Sequence, residues 1–403
     1  MVRACFQNIL DFIKSKFPGQ NHVPLHAPIF QGNERKYVLN AIDSTFVSSV
    51  GAYVNRFEAM MCEITGANHA IAIVNGTNAL HMALLLANVQ PEDEVLSQSI
   101  TFIATCNAIS YIGAYPVFID IDRDTLGLSP ESLQHFLNNH AERKSDGFTY
   151  NKQTGKRIKA CVPMHTFGFP CRIDDIATIC SQWNITLVED AAESIGSFYK
   201  GKHTGTFGKI GAFSFNGNKT VTAGGGGALI TNDETLAKRA KHLTTQAKVP
   251  HPWAFVHDEV GYNYRMPNLN AALACAQLEQ LDLFIDNKRD LASSYQSFFE
   301  RQQTPYVREI DQAKANYWLN CILLKDKNER DAFLKFTNEN DVMTRPAWEL
   351  MHRLSMFNYP SKTDLSNSEW IADRLVNIPS SVRIPLKNTK TGTRDSQTSC
   401  QTR

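Results

Sequence analysis

A chain of 403 residues is longer than one compact core of ordinary size holds, so one large domain and one smaller one are expected. Its 43% hydrophobic and 20% charged residues exclude a disordered or fibrous chain and suit a folded enzyme. A net charge of +1 offers no general attraction to polyanions, so neither nucleic acid nor an acidic membrane is an expected partner.

In chain order, Phe6, Ile9, Leu10, Ile13 and Phe17 recur at helical spacing between Asp11, Lys14 and Lys16, which predicts a docked helix over 1–21 rather than an export signal. No run of eighteen apolar residues follows, so no membrane span is expected. Nine cysteines are scattered without a Cys-x-x-Cys pair, which favours buried thiols in a reducing, cytoplasmic compartment over a disulfide or zinc framework. Residues 22–51 read as irregular, and 54–65 as an amphipathic helix. Residues 69–74 then read as a buried strand, Asn75-Gly76-Thr77 as a tight turn, and 78–88 as a helix apolar on nearly all faces.

The alternation continues with strands at 94–98, 115–121, 159–164, 185–189, 210–215 and 228–231, and helices at 104–112, 130–139 and 174–183. A polar stretch over 141–158, carrying Gly147 and Gly155, reads as an excursion off the sheet. This pattern predicts an α/β fold, a mainly parallel sheet covered by helices on both faces, with ligands at the carboxyl ends of the strands. Residues 269–300 read as one long helix leading into a smaller C-terminal domain, with a strand at 317–324 and helices at 329–339 and 370–375. The domains are then 22–275 and 276–385, and the polar residues 386–403 read as a disordered tail.

Two pieces carry the chemistry. Asp190 ends the apolar strand Ile-Thr-Leu-Val-Glu-Asp, and Lys219 stands 29 positions later, beyond the strand that ends at Ser214-Phe215 and before four glycines, 224–227. A lone lysine is far more often a solvated charge, but one placed beyond a buried strand can form an imine with a carbonyl cofactor. Asp190 is either a helix cap or a partner for a protonated pyridine nitrogen. Gly76 and Thr77 precede a helix, where free backbone N–H groups and the helix dipole favour an anion, and Ser214 adds a hydroxyl. Neither G-x-G-x-x-G after the first strand nor G-x-x-x-x-G-K-[ST] occurs, so dinucleotide and P-loop readings are weak.

Taken together, six blocks in order resemble the DegT/DnrJ/StrS family of sugar aminotransferases over roughly residues 22–385. They are Asn75-Gly-Thr-Asn-Ala-Leu-His-Met-Ala-Leu, Thr101-Phe-Ile-Ala-Thr-Cys-Asn-Ala-Ile, Tyr115-Pro-Val-Phe-Ile-Asp-Ile-Asp, Glu189-Asp-Ala-Ala-Glu-Ser-Ile-Gly, Gly205-Thr-Phe-Gly-Lys-Ile-Gly-Ala-Phe-Ser-Phe and Gly261-Tyr-Asn-Tyr-Arg-Met. The resemblance implies a fold-type I pyridoxal 5'-phosphate enzyme with a seven-stranded sheet and a small α+β C-terminal domain. It implies that Lys219 is the Schiff-base lysine and proton shuttle, Asp190 the pyridine-nitrogen partner and Phe102 the aromatic stacked on the ring. Gly76, Thr77 and Ser214 would hold the phosphate, and Asn263 would reach the phosphate of a neighbouring subunit, which implies a homodimer with shared sites.

Asn75, Glu193 and Gly225 depart from the family's commoner serine, glutamine or histidine, and glutamate; a carboxylate at 193 alters the polar contacts near the ring. The stretches Phe46-Val-Ser-Ser-Val-Gly-Ala-Tyr-Val and His165-Thr-Phe-Gly-Phe-Pro are similar to the branch acting on UDP-linked 4-keto-6-deoxy-N-acetylhexosamines. In that branch L-glutamate donates the amino group. His165 and His352 match positions that line the sugar pocket or are structural, and Arg265 and Lys36 are candidates for the nucleotide's diphosphate. A GDP- or dTDP-linked keto sugar is the alternative substrate. A non-catalytic cofactor-binding regulator and a nicotinamide-dependent sugar oxidoreductase are the alternative functions.

Overall fold

The computed structural model describes residues 2–359 and 363–383. The tail expected over 386–403 lies outside them.

Seven strands, β1 (His69–Ile73), β2 (Glu94–Gln98), β3 (Tyr115–Ile119), β4 (Ile158–Val162), β5 (Thr186–Asp190), β6 (Ile210–Ser214) and β7 (Gly227–Thr231), form one sheet in the order β1-β7-β6-β5-β4-β2-β3. Strand β7 runs antiparallel to β1 and β6, and every other pairing is parallel. The reason is the connection. Parallel neighbours need a crossover, normally a helix, whereas the chain between β6 and β7 is a loop that turns straight back. That loop carries Lys219 and is held at the carboxyl edge of the sheet by the two strands it joins. Apolar clusters cover both faces, as the near-continuous apolar runs of these strands require.

A second sheet belongs to the C-terminal part: β8 (Asn320–Leu323), β9 (Arg345–Pro346) and β10 (Leu375–Ile378), with β10 central and antiparallel to both neighbours. The Val2–Lys16 helix packs on it, stacking the Phe12 ring 3.9 Å from that of Phe298 and setting Phe6 edge-on to Phe333 at 5.1 Å. Phe6, Ile9, Leu10, Ile13 and Phe17 therefore share one apolar core with the C-terminal part.

Five elements differ from their sequence reading. The long helix over 269–300 is two helices, Asn268–Leu278 and Leu281–Gln302, broken at Glu279 and Gln280. Both breaking residues are held by the segment read as irregular, which contains the helix Glu34–Asp43: Gln280 donates to Glu34 and Glu279 accepts from Tyr37 and Asn33. Residue 375 starts β10 instead of ending a helix, because its partner β8 lies more than fifty residues earlier in the chain. A helix over Glu234–Thr244, capped by the Asp233 carboxylate accepting from the amides of Thr235 and Leu236, follows β7. The polar excursion holds a small hairpin, Ala141–Arg143 with Thr149–Asn151.

Candidate active site

The carboxyl ends of β5 and β6 and the start of the helix Gly76–Leu86 enclose a cavity of about 300 Å³. Asp190, Glu193, Ser214, Lys219, Gly76, Thr77 and Phe102 all line it.

Asp190 is the last residue of β5, and beyond it the chain turns sharply, the Ala192 amide donating to Asp190 Oδ1 at 3.1 Å. Its Oδ2 accepts from the Thr105 hydroxyl at 2.7 Å. Burial raises the pKa of this carboxyl, against the opposing pull of those two donors. Glu193, three residues on, is buried as well. Its Oε2 accepts from the Phe167 amide at 2.8 Å and its Oε1 from Lys219 Nζ at 3.0 Å. Burial pushes Glu193 up to about 7, although the Lys219 charge and the Phe167 N–H both favour its ionised form. The departure seen in the sequence at 193 is thus an ion-pair partner for the lysine.

Lys219 stands in the β6–β7 loop, its own amide donating to the Asn216 carbonyl at 3.0 Å. The ammonium lies 4.0 Å from the ring centroid of Trp318, whose indole N–H donates to the Asn218 carbonyl at 2.8 Å. One tryptophan of the small domain thus seats both the lysine head group and the backbone beside it. Asn316 adds to this, its amide donating to the carbonyls of Glu193 and Ile195, each at 2.9 Å. The sequence reading missed Trp318, Asn316 and Thr105. Trp318 lay in a predicted core strand, and Thr105 stood inside a quoted block with no role attached.

These residues fit a phosphorylated pyridine with a reactive carbonyl. The first N–H groups of a helix have no intrahelical partner, and those of Gly76 and Thr77 belong to a helix start that faces the cavity. Two glycines keep the cradle open. A Cβ on Gly76 would sit 2.7 Å from Ser214 Cβ, and one on Gly227 would sit 2.5 Å from the Asn75 carbonyl oxygen. The close approach expected of the glycine run is therefore that of β7 to the turn at 75–76. Phe102, 47% exposed, lines the same cavity.

The structure does not bring the three expected sugar contacts into this cavity. His165 is fully buried, its Nε2 at 3.0 Å from Glu189 Oε2, and Glu189 also accepts from the amides of Gly205, Phe207 and Gly208. Burial disfavours the imidazolium, yet the Cys171 sulfur and the Glu189 carboxylate beside it outweigh burial and raise its pKa. His165 thus ties β5 to a neighbouring loop. Arg265 approaches Glu58 at 3.5 Å, and His352 Nδ1 lies 2.7 Å from the Ser99 hydroxyl. Asn263 is exposed on an extended segment paired with Thr245, outside the cavity of its own chain, and Lys36 is also exposed.

Comparison with known proteins agrees with this geometry. The sequence signature of the DegT/DnrJ/EryC1/StrS aminotransferase family matches residues 28–391. The chain is 36% identical over 364 residues to GDP-perosamine synthase of Escherichia coli O157:H7, covering 89% of this chain and 93% of that one. It is likewise 36% identical over 361 residues to GDP-perosamine synthase of Vibrio cholerae, covering 89% and 94%. Its fold superposes on the aminotransferase TlmJ of Streptoalloteichus hindustanus with a TM-score of 0.81, at 26% identity over 89% of this chain and 93% of that one. Fold and site define a pyridoxal-phosphate-dependent nucleotide-sugar aminotransferase. The chain belongs to the DegT/DnrJ/EryC1/StrS aminotransferase family.

Proposed function

We propose that this enzyme transfers the amino group of L-glutamate to the C-4 ketone of a nucleotide-linked 4-keto-6-deoxy sugar. One observation carries the reading: Lys219, Asp190 and the start of the Gly76–Leu86 helix line a single cavity at the carboxyl edge of the sheet. Pyridoxal phosphate, when bound, supplies the carbonyl and the electron-accepting ring. The chain's own residues supply the rest. Lys219 Nζ holds and moves the proton between cofactor and substrate carbon. Asp190, held by Thr105, is the carboxylate for the ring nitrogen. The amides of Gly76 and Thr77 and the Ser214 hydroxyl bind phosphate, Phe102 covers the ring, and Glu193 holds the Lys219 ammonium when that amine is free.

The sugar we favour is a UDP-linked 2-acetamido-2,6-dideoxy-4-keto-hexose, on the strength of the stretches at 46–54 and 165–170. The second of these forms the Glu193 contact through the Phe167 amide. A second reading, a GDP-linked sugar, is favoured by the two relatives named as GDP-perosamine synthases. Incubating the holoenzyme and L-glutamate with UDP-, GDP- and dTDP-linked 4-keto-6-deoxy sugars, with NMR of the product, separates them. The expected result is 2-oxoglutarate formed together with a 4-amino sugar on UDP; no amination of any sugar would end the proposal. In Lys219→Ala, turnover falls by a factor on the order of 10³ or more, and borohydride no longer fixes cofactor to the chain at 219, which peptide mass spectrometry reads.

Asn263 suits a contact to the site of a second copy, since it is exposed beside a loop bearing Trp253 at 80%, Phe255 at 81% and Val260 at 83% exposure. Exposed aromatic surface of that kind marks interfaces. We therefore read the enzyme as a homodimer with shared sites. No helix among the described residues is long and apolar enough to cross a membrane, and we place the enzyme in the cytoplasm with its nucleotide-sugar substrates.

A further inference from the structure

We propose that His26 is a specificity contact for the sugar, receiving its 2-acetamido group in a second cavity that shares a wall with the cavity of Lys219. This rests on the amino-transfer reading above and names the part of the substrate that the enzyme checks.

The second cavity holds about 520 Å³, and Asn218, Trp318 and Trp348 line both cavities. A substrate reacting beside Lys219 therefore has this space next to it. His26 lines the second cavity, and both its Nδ1 and its Nε2 are buried without a well-aligned hydrogen bond, the Asn218 carbonyl alone being close enough to favour a proton on the ring. Buried polar atoms are nearly always paired, so a ring nitrogen left without a partner marks a place where something else bonds. The Asn218 carbonyl nearby already accepts from the Trp318 indole.

The chemistry of the ring narrows the ligand. Burial first, and then the charge of Lys288, push the imidazole well below its usual pKa, with Lys219 adding to this and the Asn218 carbonyl opposing it. The ring is neutral at pH 7 and offers one N–H donor and one acceptor nitrogen. Such a ring has no charge of its own to attract a carboxylate, while the Arg345 guanidinium of this cavity is positioned through Nη1, which donates to Asn338 Oδ1 and the Thr344 carbonyl at 2.8 Å each, and it keeps its charge. An acetamido group is well served: its N–H or C=O meets a ring nitrogen, and its methyl meets the apolar wall of Leu25, Met343 and Ala347. A bare hydroxyl would leave that wall without a partner.

The test compares the wild-type holoenzyme with His26→Ala and His26→Gln. Each is assayed on a UDP-linked 4-keto-6-deoxy sugar with the 2-acetamido group and on one with a 2-hydroxyl, and titrated calorimetrically with the 4-amino-2-acetamido product. The inference expects kcat/KM for the acetamido sugar to fall on the order of tenfold or more, with product affinity weakening by a similar factor. It also expects less than about a threefold change on the hydroxyl sugar, and an unaltered rate of the glutamate half-reaction read by cofactor absorbance. Equal loss on both sugars, or a slowed glutamate half-reaction, would overturn it. Calorimetric binding of the product separates the two proposals. A wild type that aminates only hydroxyl sugars ends the His26 assignment and leaves amino transfer standing; one that aminates no sugar ends the amino-transfer reading, while the affinity ratio still reports on His26.

Discussion

At the scale of single side chains, Glu193 is the group whose protonation the site controls most directly. Its pKa rises from 4.5 to about 7, so between those values the folded chain binds a proton that the unfolded chain has released. Stability from this group therefore falls as pH rises through that window. Glu193→Gln removes the slope. In urea unfolding of the cofactor-free protein, the advantage of the variant over wild type should grow from pH 5 to pH 8, by on the order of 2 kcal/mol. Parallel pH profiles would show that the buried charge is not strained. Trp318 is the second such residue, since it holds the Asn218 carbonyl and underlies the Lys219 ammonium. Trp318→Phe keeps a ring and loses the N–H. Leaving one carbonyl unpaired costs about 1 kcal/mol or more, so the dissociation constant of pyridoxal phosphate should rise about three- to tenfold, measured by equilibrium dialysis.

At the scale of elements, the helix Glu34–Asp43 is held by polar bonds rather than by apolar periodicity, which is why its sequence is mute. Glu34 is buried, and its Oε1 accepts from Gln277 at 2.6 Å and Gln280 at 2.7 Å while its Oε2 accepts from the Gly32 amide at 2.8 Å. Glu34→Ala removes all three bonds, leaving Gln277 with the Ile29 carbonyl, Gln280 with the Ala276 carbonyl and the Gly32 amide without an acceptor. We expect a loss on the order of 2–3 kcal/mol in denaturant midpoint analysis, well beyond that of an exposed substitution such as Lys36→Ala. The N-terminal helix makes the opposite case, because its apolar stripe was plain but its destination was not. It covers Phe298, Phe299 and Phe333, so removing residues 1–21 should lower the thermal midpoint by several degrees or leave the chain insoluble.

For the whole molecule, the site is a property of three chain regions meeting. The sheet edge supplies Asp190 and Lys219, the Gly76–Leu86 helix supplies its N-terminal amides, and the C-terminal part supplies Trp318 to hold the Lys219 loop and Asn316 to hold the turn after Asp190. A shift of the small domain would therefore be felt at Lys219. The exposed aromatic loop near 253–260 argues that the working unit is larger than one chain. Light scattering after size-exclusion chromatography should return roughly twice 45.2 kDa, and a clean monomer that retains full activity would refute shared sites.

What the residues determined alone is everything with a local cause. Alternating apolar runs fixed seven strands to within a few residues of their ends, because a strand buried on both faces must be apolar throughout. The loop chemistry around 75–77, 190 and 214–219 marked residues that line one cavity, because helix starts, glycine contacts and strand-end carboxylates are written in adjacent residues. The tertiary structure decided whatever depends on partners far along the chain. It broke the helix at Glu279, made residue 375 a strand, paired Glu193 with Lys219 across 26 positions, and set a tryptophan ninety-nine positions away beneath the lysine. It also sank His165 against Glu189 and left His26 without a well-aligned hydrogen bond beside the site. A histidine looks the same in sequence whether it faces a sugar or a carboxylate; only packing assigns its neighbour.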